Sequence, residues 1–145
     1  DLRKGFAVLQ SRFGNRFLPV LVPPWNRVAE DVVAALHSLG FCGISTFNPR
    51  KVAEPYKGIM QVNTHVDVID WRGSRGFVGE DIALGAMISH LAARRTGQVD
   101  ADEPTGILTH HLVHDEATTK SLDNLFSMDH SALCWLRIPG VFPWQ

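Results

Sequence analysis

Segments with helical spacing of apolar residues alternate with short, wholly apolar runs along the chain, and this alternation limits the possible folds most strongly. Residues 1–14 place apolar side chains at steps of four, three and four, which predicts an amphipathic helix. The run FLPVLV at 17–22 then predicts a buried strand. Read to its end, the pattern predicts the order α-β-α-β-β-α-β-α-β. Such alternation favours parallel pairing, so we expect an α/β fold with a mostly parallel sheet.

The remaining elements follow from the same patterns. Asn26 is expected to cap the second helix, which Gly40 ends. The alternating segment MQVNTHVDVIDW predicts one long strand, and the acidic segment at 96–106 predicts a surface loop. That long strand covers 60–71. Further strands are predicted at 41–47, 106–110 and 132–138, and further helices at 80–95 and 115–128.

Composition narrows the class of protein. The 145 residues fit one domain, and the formal net charge is -1 without a block of Lys or Arg. This balance argues against nucleic acid or an anionic membrane as the main partner. The apolar runs are too short for a transmembrane helix, so we expect a soluble chain, cytoplasmic or periplasmic. Cys42 and Cys134 lie in apolar runs and are predicted to be buried thiols.

Three polar clusters each follow a predicted strand. They are PPWNR at 23–27, DVIDW at 67–71 and THHLVHDE at 109–116. The carboxyl ends of parallel strands lie at one edge of a sheet, where α/β proteins place their sites. The three clusters are therefore the candidate site.

The histidines of the third cluster allow more than one interpretation. His110 ends a predicted strand and could act as a general acid or base, or could simply bond a backbone carbonyl. His110 and His114 have the H-x-x-x-H spacing of metal ligands on a helix. However, the change from strand to helix is predicted between these two residues. Their spacing therefore does not place both rings on one helix face. Asp115 and Glu116 are predicted to cap the helix and to charge its first turn.

The other polar and aromatic residues of the three clusters also allow more than one role. Trp25 and Trp71 could stack on a flat ligand such as a sugar, or close the end of a core. Asp70 could orient a histidine, and Asp67 could pair with His65 on one strand face. Surface positions or satisfied hydrogen bonds are predicted for three further histidines: His37, His90 and His130.

The motifs LVPPWN, DVIDW and GILTHH, in this order, resemble the later motifs of the polysaccharide deacetylase family, carbohydrate esterase family four. In that family a proline-rich loop shapes the substrate groove, an Asp-Trp motif ends a strand, and a final strand supplies a catalytic histidine. By this resemblance the catalytic residues are His110 and Asp70. The substrate-binding residues it implies are Pro23, Pro24, Trp25, Asn26 and Trp71.

The resemblance implies the carboxyl-terminal half of a distorted (β/α) barrel, as a single partial domain over 1–145. It also implies metal-dependent hydrolysis of the amide C–N bond in N-acetylated sugars. The early family motifs T-F-D-D and H-x-x-x-H do not precede the proline-rich loop, and Val22 stands where the family usually has Arg. We therefore expect no metal ligands in this chain, and zinc or another divalent metal only in a complete domain.

Three further expectations follow. A chain without the metal-binding half is expected to be an inactive fragment. The alternative is a non-catalytic carbohydrate-binding or interaction module. Half of a barrel would leave a sheet edge open to pairing, so a homodimer formed through that edge is predicted.

Overall fold

The computed structural model describes residues 1–128 and 131–142, and His130 lies outside these ranges. The described residues form two compact units. Residues 1–63 and the segment from Leu136 onward make the first unit, and residues 64–135 make the second. The predicted partial domain thus contains two units.

The first unit combines two helices with a three-stranded parallel sheet. The strand order is β1-β2-β3, and its register aligns Val20 with Gly43 and Gly43 with Met60. Its elements are α1 (Leu2–Phe13), β1 (Val20–Leu21), α2 (Glu30–Leu36), β2 (Gly43–Ile44) and β3 (Met60–Gln61).

The core of the first unit lies between its helices and the sheet. Leu36 and Ile59 are fully buried there. Phe6 of α1 meets Phe41 edge to face, with ring centroids 5.3 Å apart, in a geometry that aromatic pairs prefer. The apolar stripe of α1 is covered only in part, because Phe13 remains 47% exposed.

The second unit pairs two parallel strands beside two helices. The register aligns Val66 with Ile107 and Asp67 with Leu108. Its elements are β4 (Val66–Asp67), α3 (Glu80–Arg95), β5 (Ile107–Leu108) and α4 (Glu116–Ser127). The helices predicted at 80–95 and 115–128 are confirmed.

The single strand predicted at 60–71 is wrong. It is divided into β3, which belongs to the first unit, and β4, which belongs to the second. Asn63 explains the break. Its side chain accepts the Thr46 N–H at 2.9 Å and donates to the Asn48 carbonyl at 2.7 Å. A side chain that bonds the backbone in this way competes with the hydrogen bonds of a strand ladder.

The strand predicted at 132–138 does not form either. This segment is irregular up to a single 3₁₀ turn at Ile138–Gly140, and no strand among the described residues pairs with it. An apolar run without a neighbouring strand gains no ladder bonds, whatever its β propensity. Cys134 is consequently exposed, so its predicted burial is wrong. Cys42 is half-buried, and burial raises the pKa of its thiol.

The predicted α/β class with parallel pairing is confirmed at this coarse level. The strands of the described residues do not close into a barrel. Within the same residues, no helix combines the length and hydropathy needed to cross a membrane. The homodimer through a sheet edge stays a prediction.

Candidate functional site

The carboxylate of Asp67 joins the polar groups at the end of β4. Its Oδ1 lies 3.2 Å from Nε2 of His110 and accepts the backbone N–H of Ile69 at 3.0 Å. Its Oδ2 accepts the indole N–H of Trp71 at 2.9 Å. The half-buried carboxylate of Asp67 therefore contacts the imidazole of His110 through one oxygen and the indole of Trp71 through the other.

Strand register places these groups together. Asp67 lies opposite Leu108 in the parallel β4–β5 pair, and His110 follows Leu108 by two residues. Parallel strands end at the same edge, so both polar segments leave the sheet together. For the second and third sequence clusters, the predicted meeting at one edge is confirmed.

The ring of His110 is held between two neighbours. It meets Trp71 edge to face, with centroids 4.8 Å apart and planes at 87°. Its Nε2 is buried and has no aligned hydrogen-bond partner in the described residues, so the Asp67 contact is electrostatic. The backbone N–H of His110 donates to Nε2 of His114 at 3.0 Å, which folds the turn back on itself.

Asp70, which the resemblance predicts to be catalytic, stabilises the turn that follows it. Its carboxylate accepts the backbone N–H groups of Gly73 at 2.9 Å and Ser74 at 3.1 Å. This is the local bonding by which Asp stabilises turns. The residue that faces His110 is Asp67, three positions earlier in the same motif. A catalytic role of Asp70 stays a prediction.

The second unit contains another cluster of titratable groups. The side chains of His65 and Glu103 are buried, with His65 Nε2 3.3 Å from Glu103 Oε2. The rings of His65 and His90 stack with centroids 3.5 Å apart and planes at 19°. The backbone N–H of Gly106 donates to Nδ1 of His65 at 3.0 Å, and Nδ1 of His90 lies 2.9 Å from the Thr105 hydroxyl.

Sequence reasoning missed this cluster. The surface position considered for His90 is wrong, because His90 is only 7% exposed. Glu103 is fully buried although the acidic segment around it predicts a surface loop. The spacing of His90 from buried Met87, three residues on one helix face, was a usable signal. His65 and Asp67 do not pair, since each contacts a different partner.

The surroundings of His90 favour its neutral form. Burial is the largest cause that lowers its pKa, to about 4. The charges of His65 and Arg94 lower this pKa further, while that of Glu103 raises it. His90 is therefore uncharged near neutral pH, because desolvation outweighs the opposing charge of Glu103.

Metal-binding capacity is concentrated in the second cluster. His65, His90 and Glu103 offer ligand atoms within 4.8 Å of one another, and no other such group occurs in the part of the chain that the structure describes. Two histidines and a carboxylate are a ligand set used for zinc. His110 and His114, which have the H-x-x-x-H spacing, do not belong to this group.

Asp115 links α4 to the segment before α3. Its Oδ1 accepts both the N–H and the hydroxyl of Thr118 at 2.7 Å, and its Oδ2 accepts the Phe77 N–H at 3.0 Å. The predicted helix cap is confirmed, with Glu116 in the first turn. These hydrogen bonds, those from Thr118 above all, lower the pKa of Asp115 to about 2.

Replacing Asp115 by alanine is expected to fray the start of α4 and to release Phe77, because three donors lose their acceptor. Asparagine keeps a side-chain oxygen and should retain most of the cap. Amide hydrogen exchange at Thr118 and Phe77 measures both effects. Equal exchange rates in the alanine variant and the unmodified chain would contradict the linking role.

The residues predicted for a substrate loop lie in the first unit. Pro23 is buried, and Pro24–Asn26 form one 3₁₀ turn. Trp25 is 88% exposed and has a left-handed backbone, with φ of 53°. This conformation is uncommon for a bulky residue. Asn26 does not cap α2, which begins at Glu30.

The site geometry thus consists of a shared carboxylate, an imidazole and an exposed indole in the second unit. The solvent-exposed Trp25 turn belongs to the first unit. In comparisons with models of known protein families, with curated proteins and with solved structures, nothing matches this chain.

Proposed function

We propose that this chain supplies the proton-donating part of a hydrolase that cleaves the amide C–N bond of N-acetylated sugars. The observation that carries the proposal is the Asp67 carboxylate, which contacts both His110 and Trp71. The order of the three sequence motifs supports the same reaction class. In this proposal the chain corresponds to the carboxyl-terminal half of a deacetylase-type (β/α) barrel.

The chemistry assigned to His110 is general acid catalysis. The carboxylate of Asp67 lies beside Nε2, which favours a proton on that nitrogen and leaves Nδ1 to exchange a proton with a ligand. As the water oxygen bonds to the acetyl carbon and the C–N bond breaks, the leaving amine takes a proton from His110. Asp67 stabilises the imidazolium before that transfer.

Activation of the attacking water is not assigned to this site. The family chemistry uses a divalent metal, but no metal-binding group of the described residues includes His110. Both oxygens of Asp67 already accept N–H donors, from Ile69 and Trp71. The residues around His110 therefore do not fit a metal, and the proposal leaves the metal to a part of the protein with the early family motifs.

Trp71 is proposed as the aromatic surface on which a sugar ring stacks. It is 47% exposed, and its N–H is fixed by Asp67, so the ring is oriented without bound ligand. Indole faces suit the flat apolar side of a sugar. By the family resemblance alone, substrate binding is also proposed for a loop of the first unit: Pro23, Pro24, Trp25 and Asn26.

The second candidate function is a non-catalytic carbohydrate-binding module. The exposure of Trp25 and Trp71, together with the poor fit of His110 to a metal, favours this reading specifically. Both functions require sugar binding, and only the hydrolase requires His110 for turnover. Binding and hydrolysis therefore have to be measured separately.

Titration of this chain with an N-acetylglucosamine tetramer, followed by tryptophan fluorescence, tests the sugar contact. Trp71→Ala is expected to weaken binding by roughly 2- to 12-fold, the effect of losing one aromatic contact. Trp135→Ala is the matched control, because Trp135 is similarly exposed, at 44%, and packs on Phe126. Chelator should not change the affinity. An unchanged affinity in Trp71→Ala would overturn the sugar-stacking role of Trp71.

A further inference from the structure

The cluster of His65, His90 and Glu103 first suggests a metal site, because Nε2 of both histidines is buried without an aligned hydrogen-bond partner in the described residues. A histidine that binds metal through Nε2 carries its proton on Nδ1 and donates it to an acceptor. Here the backbone N–H of Gly106 donates to Nδ1 of His65. Nδ1 therefore holds a lone pair, and Nε2 holds the proton.

We propose instead that His65 is a positioning residue, which sets the β4–β5 register and thereby holds Asp67 against His110. Its meaning for catalysis rests on the function proposed above, whereas the geometry it controls does not. Neither the sequence motifs nor the family resemblance gives His65 this role.

His65 bonds both polar groups of one residue. Its backbone N–H donates to the Gly106 carbonyl at 2.7 Å, while its side-chain Nδ1 accepts the Gly106 N–H at 3.0 Å. Gly106 directly precedes β5, and His65 directly precedes β4. These two hydrogen bonds between His65 and Gly106 therefore fix the point at which β4 and β5 begin to pair.

The register between β4 and β5 determines whether His110 can contact Asp67. Each strand contributes two residues to the pair, so few ladder bonds oppose a shift. Sliding β5 by one residue would move His110 by about 3.3 Å along the strand. That displacement is as large as the 3.2 Å separation between His110 Nε2 and Asp67 Oδ1, so the contact would be lost.

The ring of His65 is stacked on one face, hydrogen-bonded at Nδ1 and close to a carboxylate at Nε2. It stacks on His90, whose own Nδ1 is tied to Thr105, the residue before Gly106. Its protonated Nε2 faces the buried oxygen of Glu103 at 3.3 Å. These contacts select one tautomer, the one that leaves Nδ1 free to accept the Gly106 N–H.

The first test needs no variant. A ¹⁵N-edited NMR spectrum of the folded chain at neutral pH should show the proton of His65 on Nε2 and none on Nδ1. A proton on Nδ1 would overturn the proposal, because Gly106 would then lack its acceptor.

Two substitutions then separate positioning from other roles. His65→Leu removes the acceptor, so exchange of the Gly106 amide should become roughly 5- to 150-fold faster, as for a buried donor left unpaired. The nuclear Overhauser contacts between the rings of Trp71 and His110 should be lost. His65→Asn offers Oδ1 near the place of Nδ1 and should keep both readouts close to those of the unmodified chain.

Loss of the ring contacts in both variants would overturn the accepting role of His65. If His65→Leu does not fold, Glu103→Gln serves instead. Its amide oxygen still faces Nε2–H, so the Trp71–His110 contacts should persist, and their loss would count against the proposal. Stoichiometric Zn²⁺ binding that disappears in His90→Phe would favour a metal site and overturn the assigned tautomer.

These readouts are scored without substrate. If no N-acetylated sugar is bound or hydrolysed while His65→Leu still separates Trp71 from His110, the proposed function fails and the positioning role stands. If hydrolysis is found and His65→Leu leaves both the ring contacts and the rate unchanged, the positioning role fails alone.

Discussion

In the hydrolase proposed above, His110→Ala is expected to lower kcat/KM for deacetylation by roughly 10²- to 10⁴-fold, the contribution of a positioned general acid. An amine leaves an amide only when it is protonated, and His110 is the imidazole that the Asp67 carboxylate supports. The rate is measured as acetate released from an N-acetylglucosamine tetramer.

His111→Ala is the matched control for this loss. His111 is the next residue in the chain and is exposed. It has no contact with Asp67 in the structure, so its removal should leave kcat/KM within about twofold, as for a surface side chain outside the chemistry. If the two variants were equally active, the acid assigned to His110 would be wrong, and the carbohydrate-binding module would become the better reading.

Acid is expected to destabilise the fold through His90. Its pKa is lowered from 6.5 in the unfolded chain to about 4 in the folded one. Between these values the unfolded state binds the proton and the folded state does not, so the free energy of unfolding falls as pH falls. The loss is complete only below pH 4 and is at most about 3 kcal/mol. Denaturant unfolding at several pH values measures it.

The assignment to His90 is tested by removing its titration. His90→Phe keeps an aromatic ring for the stack on His65 and cannot bind a proton. Its unfolding free energy should vary less between pH 6.5 and pH 4 than that of the unmodified chain. The same slope in His90→Phe would place the acid sensitivity elsewhere.

The features predicted correctly from the sequence are local ones. Helices α1, α3 and α4 follow from apolar spacing within a few turns, and the cap at Asp115 follows from a short polar side chain before a helical segment. Such signals involve neighbours in the chain, so they survive folding with little interference from distant residues.

The features missed depend on partners far away in sequence. Asn63 ends a strand by bonding residues 15 to 17 positions earlier, which period-two alternation cannot reveal. The choice of Asp67 over Asp70 as the neighbour of His110 is set by register against β5. Glu103 is buried beside His65, 38 positions earlier, whereas composition alone makes its segment look solvated.

The shared carboxylate of Asp67 has an evolutionary consequence. If the proposed hydrolase function holds, a change at Trp71 that alters which sugars stack there would also remove a donor from the carboxylate facing His110. Ligand preference and proton transfer would then be inherited as one trait. Single substitutions in this motif should therefore rarely yield a new specificity at full turnover, and paired changes would be the accessible route.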